Sequence, residues 1–199
     1  MTVLETHADF PRDFRGDTVH PSTLRAMHEL GLLDALLRVP HQRAYELQAE
    51  IGAHRLTAAS FRHLDPRWNF VAFMPQWDFL NFLAQRSQAL PRYALHMRTS
   101  ATGLIEEDGR VVGVRALGPR GRFDVHADLV VACDGRRSTV RDCAGLSPVP
   151  LGAPMDVLWF ALSGRLGDGA EPVVKLAPGR VFIRINRGAH WRRRTSRLG

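Results

Sequence analysis

The sequence predicts a mixed α/β fold, and three observations carry that expectation. The run ADLVVAC, residues 127–133, is almost continuously apolar. That composition suits a strand buried on both faces, as in a parallel sheet covered by helices. It is followed by Asp134-Gly135 and then by a short helix pattern between Ser138, a good N-cap residue, and Gly145, a good helix stop. Second, Ala101–Glu107, Arg110–Leu117 and Arg122–Val131 are three strand candidates joined by Asp108-Gly109 and by Gly118-Pro119-Arg120-Gly121. Consecutive strands with turns this short form a β-meander. Third, two segments carry apolar residues at helical spacing.

Along the chain, Thr2 to Leu4 reads as a short strand ending at Glu5. His20-Pro21-Ser22-Thr23 opens a helix, because proline in the first turn gives up an N–H that had no partner there. Leu24, Met27 and Leu30 recur every three residues and form one apolar face, and Gly31 fits the helix end. Asp34 to Val39 adds about another turn before Pro40. Residues 42–65 alternate loosely and read as strands, a region closed by Met74-Pro75. Residues 77–90 are helical, with Leu80, Leu83 and Ala84 at helical spacing and Pro91 as the stop. The meander follows. Beyond Gly145 the chain is rich in proline and glycine, with strand-like runs at Val157–Leu162 and Arg180–Ile185, the start of a second, sheet-based region.

Composition narrows the function. A chain of 199 residues with 45% hydrophobic content makes one ordinary domain, or one domain and part of another. The net charge is +7, but Arg192, Arg193, Arg194 and Arg197 supply four of those charges within the last eight residues, and Lys175 is the only lysine. A basic tail is not the basic face of a nucleic-acid binder, so no nucleic-acid partner is expected. Cys133 and Cys143 form neither a C-x-x-C pair nor a zinc spacing, which places the chain in the reducing cytoplasm. Cys133 reads as a buried strand residue rather than a nucleophile. No run reaches the roughly 18 apolar residues of a membrane span, and the N-terminus lacks a secretory layout. The nine histidines show no H-x-x-x-H or H-E-x-x-H pattern, so no metal is expected. Trp68, Trp77 and Trp159 read as core or pocket-wall residues. No general base with a partner stands out, and no catalytic side chain is assigned.

The chain contains two Asp-Gly pairs in different settings. Asp108-Gly109 lies between the alternating runs GLIEE and RVVGV, a hairpin signal in which both turn residues take positive φ. Asp134-Gly135 lies between the end of an apolar strand and the start of a helix. Ligands of open α/β sheets bind in that crevice. There the glycine admits a ligand to the backbone, the aspartate accepts from ribose hydroxyls, and free helical N–H groups favour phosphate. Two readings of this pair stand side by side: a cofactor loop and a plain strand-to-helix turn.

The string DLVVACDGRRSTVRDCAGL resembles the Asp-Gly motif of the FAD-dependent aromatic hydroxylases, flavoprotein monooxygenases of the p-hydroxybenzoate hydroxylase fold. Their pattern is an apolar strand followed by D-G-x-x-S-x-V-R, and Asp134, Gly135, Ser138 and Arg141 match it. The resemblance implies that this segment contacts the ribose and pyrophosphate of FAD and bears on the reduced nicotinamide cofactor. DFRGDTVHPSTLRAMHELGLLDALL is similar to the segment after the family's second strand, which places Arg15 where an arginine contacts FAD. VLETHADF resembles that second strand itself, with Glu5 at the adenosine ribose. MPQWDFLNFL resembles the helix start that approaches the flavin, and Gln76 stands where many relatives carry arginine and others glutamine. The likeness runs over roughly residues 2 to 188.

The fold this implies is α/β: an incomplete Rossmann-like FAD-binding domain with an inserted β-meander, plus part of a β-sheet substrate domain. The division expected is a partial FAD-binding domain over 1–148, a substrate-domain start over 149–188 and a basic tail over 189–199. Within the first, 42–75 lends strands to the substrate region and 101–131 forms the meander. The chain departs from the family in having no G-x-G-x-x-G, the glycine turn that seats pyrophosphate on a helix N-terminus, and no later Gly-Asp segment in the right context. After Gly188 the tail WRRRTSRLG leaves the family pattern, which a truncation or frame shift would explain. The function implied is hydroxylation of a small aromatic or polyketide-like substrate with NAD(P)H and oxygen. The alternative is an inactive remnant with residual FAD binding or an interaction role. Complementation by a second polypeptide carrying the missing segments would link the two.

Overall fold

The computed structural model describes residues 1–10, 17–152, 158 and 172–185. In chain order its elements begin with strands β1 (Thr2–Glu5) and β2 (Thr18–Val19), then helices α1 (Pro21–Glu29) and α2 (Leu33–Leu36). Strands β3 (Gln42–Ala44), β4 (Glu46–Ile51), β5 (His54–Ser60) and β6 (Val71–Phe73) precede helix α3 (Gln76–Ser87). Strands β7 (Ala94–Met97), β8 (Ser100–Glu107), β9 (Arg110–Gly118) and β10 (Gly121–His126) follow. Helix α4 (Thr139–Cys143) and strands β11 (Val173–Ala177) and β12 (Arg180–Arg184) complete the set. The chain divides into two compact units, Met1–Phe10 with Leu83–Val157, and Pro11–Phe82 with Leu158–Gly199.

In the first unit β1 pairs in parallel with β7, from Thr2 opposite Ala94 to Glu5 opposite Met97. Strands β8, β9 and β10 form an antiparallel meander in the order β10-β9-β8. The β8–β9 turn takes φ +52° at Asp108 and +75° at Gly109, as the Asp-Gly signal requires. In β9, Val114 and Ala116 are buried and Arg115 between them is exposed, the period-2 alternation of a half-buried strand. Buried Thr99 follows β7; it donates its hydroxyl to the Met97 carbonyl and its N–H to the Glu5 carbonyl, which ties β7 to the end of β1.

The second unit holds two sheets, one antiparallel in the order β2-β6-β3 and one in the order β12-β11-β4-β5, where β11 and β4 run parallel. Strand β6 is apolar throughout and fully buried. Val71 and Phe73 pack with Ala44, and Phe61 and Ile185 close that cluster. Helix α1 packs on α2 through a face that buries Leu24, Met27, Leu33 and Leu36. Each such side chain contributes roughly 1.5–3 kcal/mol of transfer free energy. Leu30, expected on that face, is exposed, because it is the C-cap residue, past the last turn, and the chain reverses at Gly31 with φ +70°.

The main difference from expectation lies at residues 127–133. The third meander strand stops at His126, not Val131, and no strand forms from 127 to 133. Leu129 is 77% exposed and Val131 72%, and Cys133 is exposed rather than buried. The physical reason is pairing. A parallel strand buried on both faces needs ladder partners, and among the described residues β1 pairs only with β7. Helix α3 begins at Gln76 and ends at Ser87, three residues before the expected end at 90. The run Val157–Leu162 lies outside the described residues apart from Leu158.

Close approach within the meander yields a stability prediction. Gly113 lies opposite His126, and a Cβ there would sit 2.3 Å from the Val125 carbonyl oxygen. At Gly103 the nearest atom would be the far end of the Arg115 side chain, at 3.8 Å. Gly113→Ala is expected to cost about 1–3 kcal/mol in urea unfolding, and Gly103→Ala far less. Equal losses would contradict this reading of the β9–β10 contact.

Candidate functional site

The loop from Asp134 to Arg141 is closed by its own side chains. Ser138 is 5% exposed and sits in extended backbone immediately before α4. Its Oγ accepts the Arg141 N–H at 3.0 Å, and its hydroxyl donates to Asp134 Oδ1. Asp134 Oδ2 accepts the Val140 N–H at 3.1 Å. One carboxylate therefore bridges Asp134 to Val140, six positions on, and satisfies a donor at the helix start that has no partner within the helix. The pair of Ser138 as N-cap and Gly145 as stop, at φ +71°, is as the sequence signals.

Gly135 has φ +83°, the left-handed region that costs an L-residue roughly 1–2 kcal/mol. A Cβ at Gly135 would meet no atom within 4 Å, so space beside this backbone is open to a ligand. Arg141 donates from Nη1 to the Arg136 carbonyl at 3.0 Å and pairs with Asp142 at 2.8 Å. It braces the loop and leaves its guanidinium partly exposed. Burial on its own would raise the Asp134 carboxyl, but the Ser138 hydroxyl and the Val140 N–H outweigh it, and the group lies below its ordinary 3.8. An ionised carboxylate offers about four acceptor positions. The backbone N–H groups of Thr139 and of Asp134 itself also favour the ionised form.

Glu5 ends β1, at the carboxyl edge of the parallel β1–β7 pair, where ligands of such sheets collect. Its Oε1 accepts the His7 N–H at 2.9 Å and lies 2.7 Å from His7 Nδ1. The acid is thus oriented by a local turn, and its partner ring is largely exposed. Glu5, Asp134, Gly135, Ser138 and Arg141 all belong to the first unit, in which α4 and β1 each pack against β8.

Gln76 belongs to the second unit and is the first residue of α3. Its N–H donates to Asp17 Oδ1 at 3.3 Å, so the helix start is capped from the distant β2 segment rather than by Gln76. Arg15 lies outside the described residues. Sequence reasoning missed Asp17. The available signal was a helix beginning after Pro75 with no Ser, Thr, Asp or Asn to cap it. It also missed a knot beside α1. Arg67 pairs with Asp65 through two nitrogens, donates to His28 Nε2 at 2.8 Å, and lies 4.5 Å from the Trp68 ring centroid. The Arg67 hydrogen bonds hold the Asp65 carboxyl well below the usual carboxylate range. Trp68 also lines an open cleft of about 700 Å³ with Phe61, Leu64, Ala26 and Ser22. Among the described residues no cluster of metal-ligating side chains occurs, and no helix is long and apolar enough to cross a membrane.

The loop closure has a pH signature. A carboxyl whose folded value is lowered adds stability above its unfolded value and loses it as pH falls through the folded value. Ser138→Ala is therefore expected to cost about 1 kcal/mol near neutral pH, measured by urea unfolding. The gap to wild type should narrow below the ordinary carboxylate range, as Asp134 protonates. A gap that stays constant across that range would contradict the role given to Asp134.

Residues 1–164 match the model of a family described as FAD binding domain. The chain is 32% identical over 164 residues to 6-methylpretetramide 4-monooxygenase of Streptomyces rimosus, covering 82% of this chain and 39% of the relative. It thus spans about two fifths of that relative's length. The structure of anhydrotetracycline hydroxylase from Streptomyces rimosus is similar with a TM-score of 0.57 at 28% identity, over 72% of this chain and 28% of the other. The myxobacterial chondrochloren halogenase shares the fold, with a TM-score of 0.71 at 19% identity over 94% of this chain and 44% of the other. The two relatives of higher identity are named as a monooxygenase and a hydroxylase, and the mixed α/β architecture of this chain is consistent with the fold of an FAD-binding domain. The chain belongs to the FAD binding domain family.

Proposed function

We propose that this chain is the flavin-holding part of an FAD-dependent monooxygenase that hydroxylates aromatic or polyketide-like substrates with NAD(P)H and oxygen, in the cytoplasm. The observation that carries the proposal is the Asp134–Arg141 loop: an open, positive-φ glycine beside a carboxylate held ionised, in a chain of the FAD-binding family. Its chemistry fits FAD. Asp134 has acceptor capacity for flavin-side hydroxyls, Gly135 leaves room at the backbone, and Arg136, Arg137 and Arg141 put positive charge near a pyrophosphate. Glu5 would hold the adenosine ribose, Arg15 would pair with the cofactor, and Gln76 would approach the flavin ring. When bound, FAD takes two electrons from NAD(P)H and uses one oxygen molecule to put a hydroxyl on the ring and release water. The protein's part is binding, orientation and exclusion of water.

A second reading is favoured by one observation. The apolar residues Leu129 and Val131 are exposed, and among the described residues β1 has β7 as its only partner. An unpaired strand edge invites another strand, and exposed apolar side chains invite a covering partner. On this reading the chain alone holds FAD weakly, and a second polypeptide completes the sheet and raises the affinity.

The test is a titration of the purified chain with FAD, followed by visible absorption and flavin fluorescence, with NAD(P)H oxidation then measured on candidate phenols. Saturable perturbation of the flavin bands is expected. Gly135→Ala should weaken binding about tenfold, the cost of forcing a side chain into left-handed backbone. An affinity unchanged by Gly135→Ala would remove this loop from the site. A flavin signal unaltered by the wild-type chain would leave the complementation reading as the one to pursue.

A further inference from the structure

We propose that the cleft between β7 and the β9–β10 turn binds a small anion that carries a flat ring, an aromatic carboxylate or a nucleotide phosphate. The cleft belongs wholly to the first unit and has a volume of about 580 Å³, within the range of small-ligand pockets. His96, Met97 and Thr99 line it from β7 and the residues that follow, and Arg120, Arg122 and Phe123 from the turn and β10. None of the proposed flavin contacts lines it. Its ionisable lining residues, His96, Arg120 and Arg122, are all basic. A turn arginine is commonly a solvated surface cation, so the weight rests on what surrounds these two.

Among the described residues, neither Arg120 nor Arg122 has an ion pair or a side-chain hydrogen bond. The cleft beside Trp68 differs, because its arginine, Arg25, is paired with Glu29 at 2.8 Å. A guanidinium without a carboxylate of its own is free to give paired hydrogen bonds to a carboxylate or phosphate. The same cleft offers ring surface. His96 and Phe123 stand 5.8 Å apart between ring centroids, tilted by 47°, and Phe123 is still 37% exposed. A flat ligand can pack there, and the Met97 thioether is a favourable neighbour for an aromatic ring. The wall is also held in place. Gly121 takes φ +109° opposite Gly118, and a Cβ at Gly118 would lie 3.1 Å from Thr99 Oγ1 and 3.2 Å from the Phe123 ring. Glycine thus lets the turn pack on Thr99, which is 2% exposed and bonded to the Met97 carbonyl. A wall fixed this way loses little freedom on binding.

The test is an amide NMR titration of the full labelled chain, without FAD, using salicylate and 2′-AMP as separate probes. Each joins a ring to an anion, one through a carboxylate and one through a phosphate, so the tighter probe identifies the anion the cleft prefers. With at least one of them, saturable shifts are expected at the amides of His96, Thr99, Gly121 and Phe123, with a dissociation constant of about 0.1–1 mM. Arg120→Ala combined with Arg122→Ala should weaken that probe about tenfold. Both side chains are exposed, so this variant is expected to keep the wild-type spectrum elsewhere. Phe123→Leu should weaken the probe several-fold and leave inorganic phosphate little changed; should it fail to fold, the arginine variant decides alone. Neither probe shifting these amides saturably, or an affinity unchanged in the arginine variant, would overturn the proposal and leave the flavin reading intact. Displacement of the probe by FAD would also overturn it, by assigning the cleft to the flavin site.

Discussion

The candidate site depends on one carboxylate being held where a strand-like run gives way to a helix. Asp134 accepts from the Ser138 hydroxyl and the Val140 N–H, and these two bonds fix the loop that presents Gly135. The loop is otherwise exposed and little packed, so hydrogen bonds rather than burial set its shape. That explains why the residue types are so restricted. A carboxylate is needed to accept twice, a small hydroxyl to cap and donate at once, and a glycine to take φ +83°. Arg141 adds the outer brace through the Arg136 carbonyl.

A related device operates in the second unit. Asp17 holds the start of α3 as Asp134 holds the start of α4, but from a segment remote in sequence. In both cases an acidic side chain satisfies the first free N–H groups of a helix that carries a proposed cofactor contact. Helix starts are natural places to bind anions. Here the protein spends one donor on its own carboxylate and so fixes the direction of those that follow.

Much of the fold was legible in the sequence because it rests on local signals. Asp108-Gly109 specified its hairpin, Pro21 and Gly31 bracketed α1, and Ser138 and Gly145 bracketed α4, each through backbone geometry that nearby residues decide. What failed was non-local. The run 127–133 has the composition of a buried strand, but composition cannot supply a ladder partner, and its Leu129 and Val131 are exposed. Strand β7, four residues long and without clear alternation, exists because β1 pairs with it. The motif residues from Asp134 to Arg141 were readable as a group because their contacts lie within a few residues. Asp17 was not, because its partner is 59 residues away.

The central claim is that FAD docks on the loop closed by Asp134. The most direct measurement is a backbone amide NMR titration of the isotope-labelled chain with FAD. Saturable shifts centred on Gly135, Ser138 and Val140 are expected, with the amide of Glu5 responding at the same concentrations. Saturable shifts confined to other parts of the chain, with the Gly135 and Val140 amides unmoved, would contradict it.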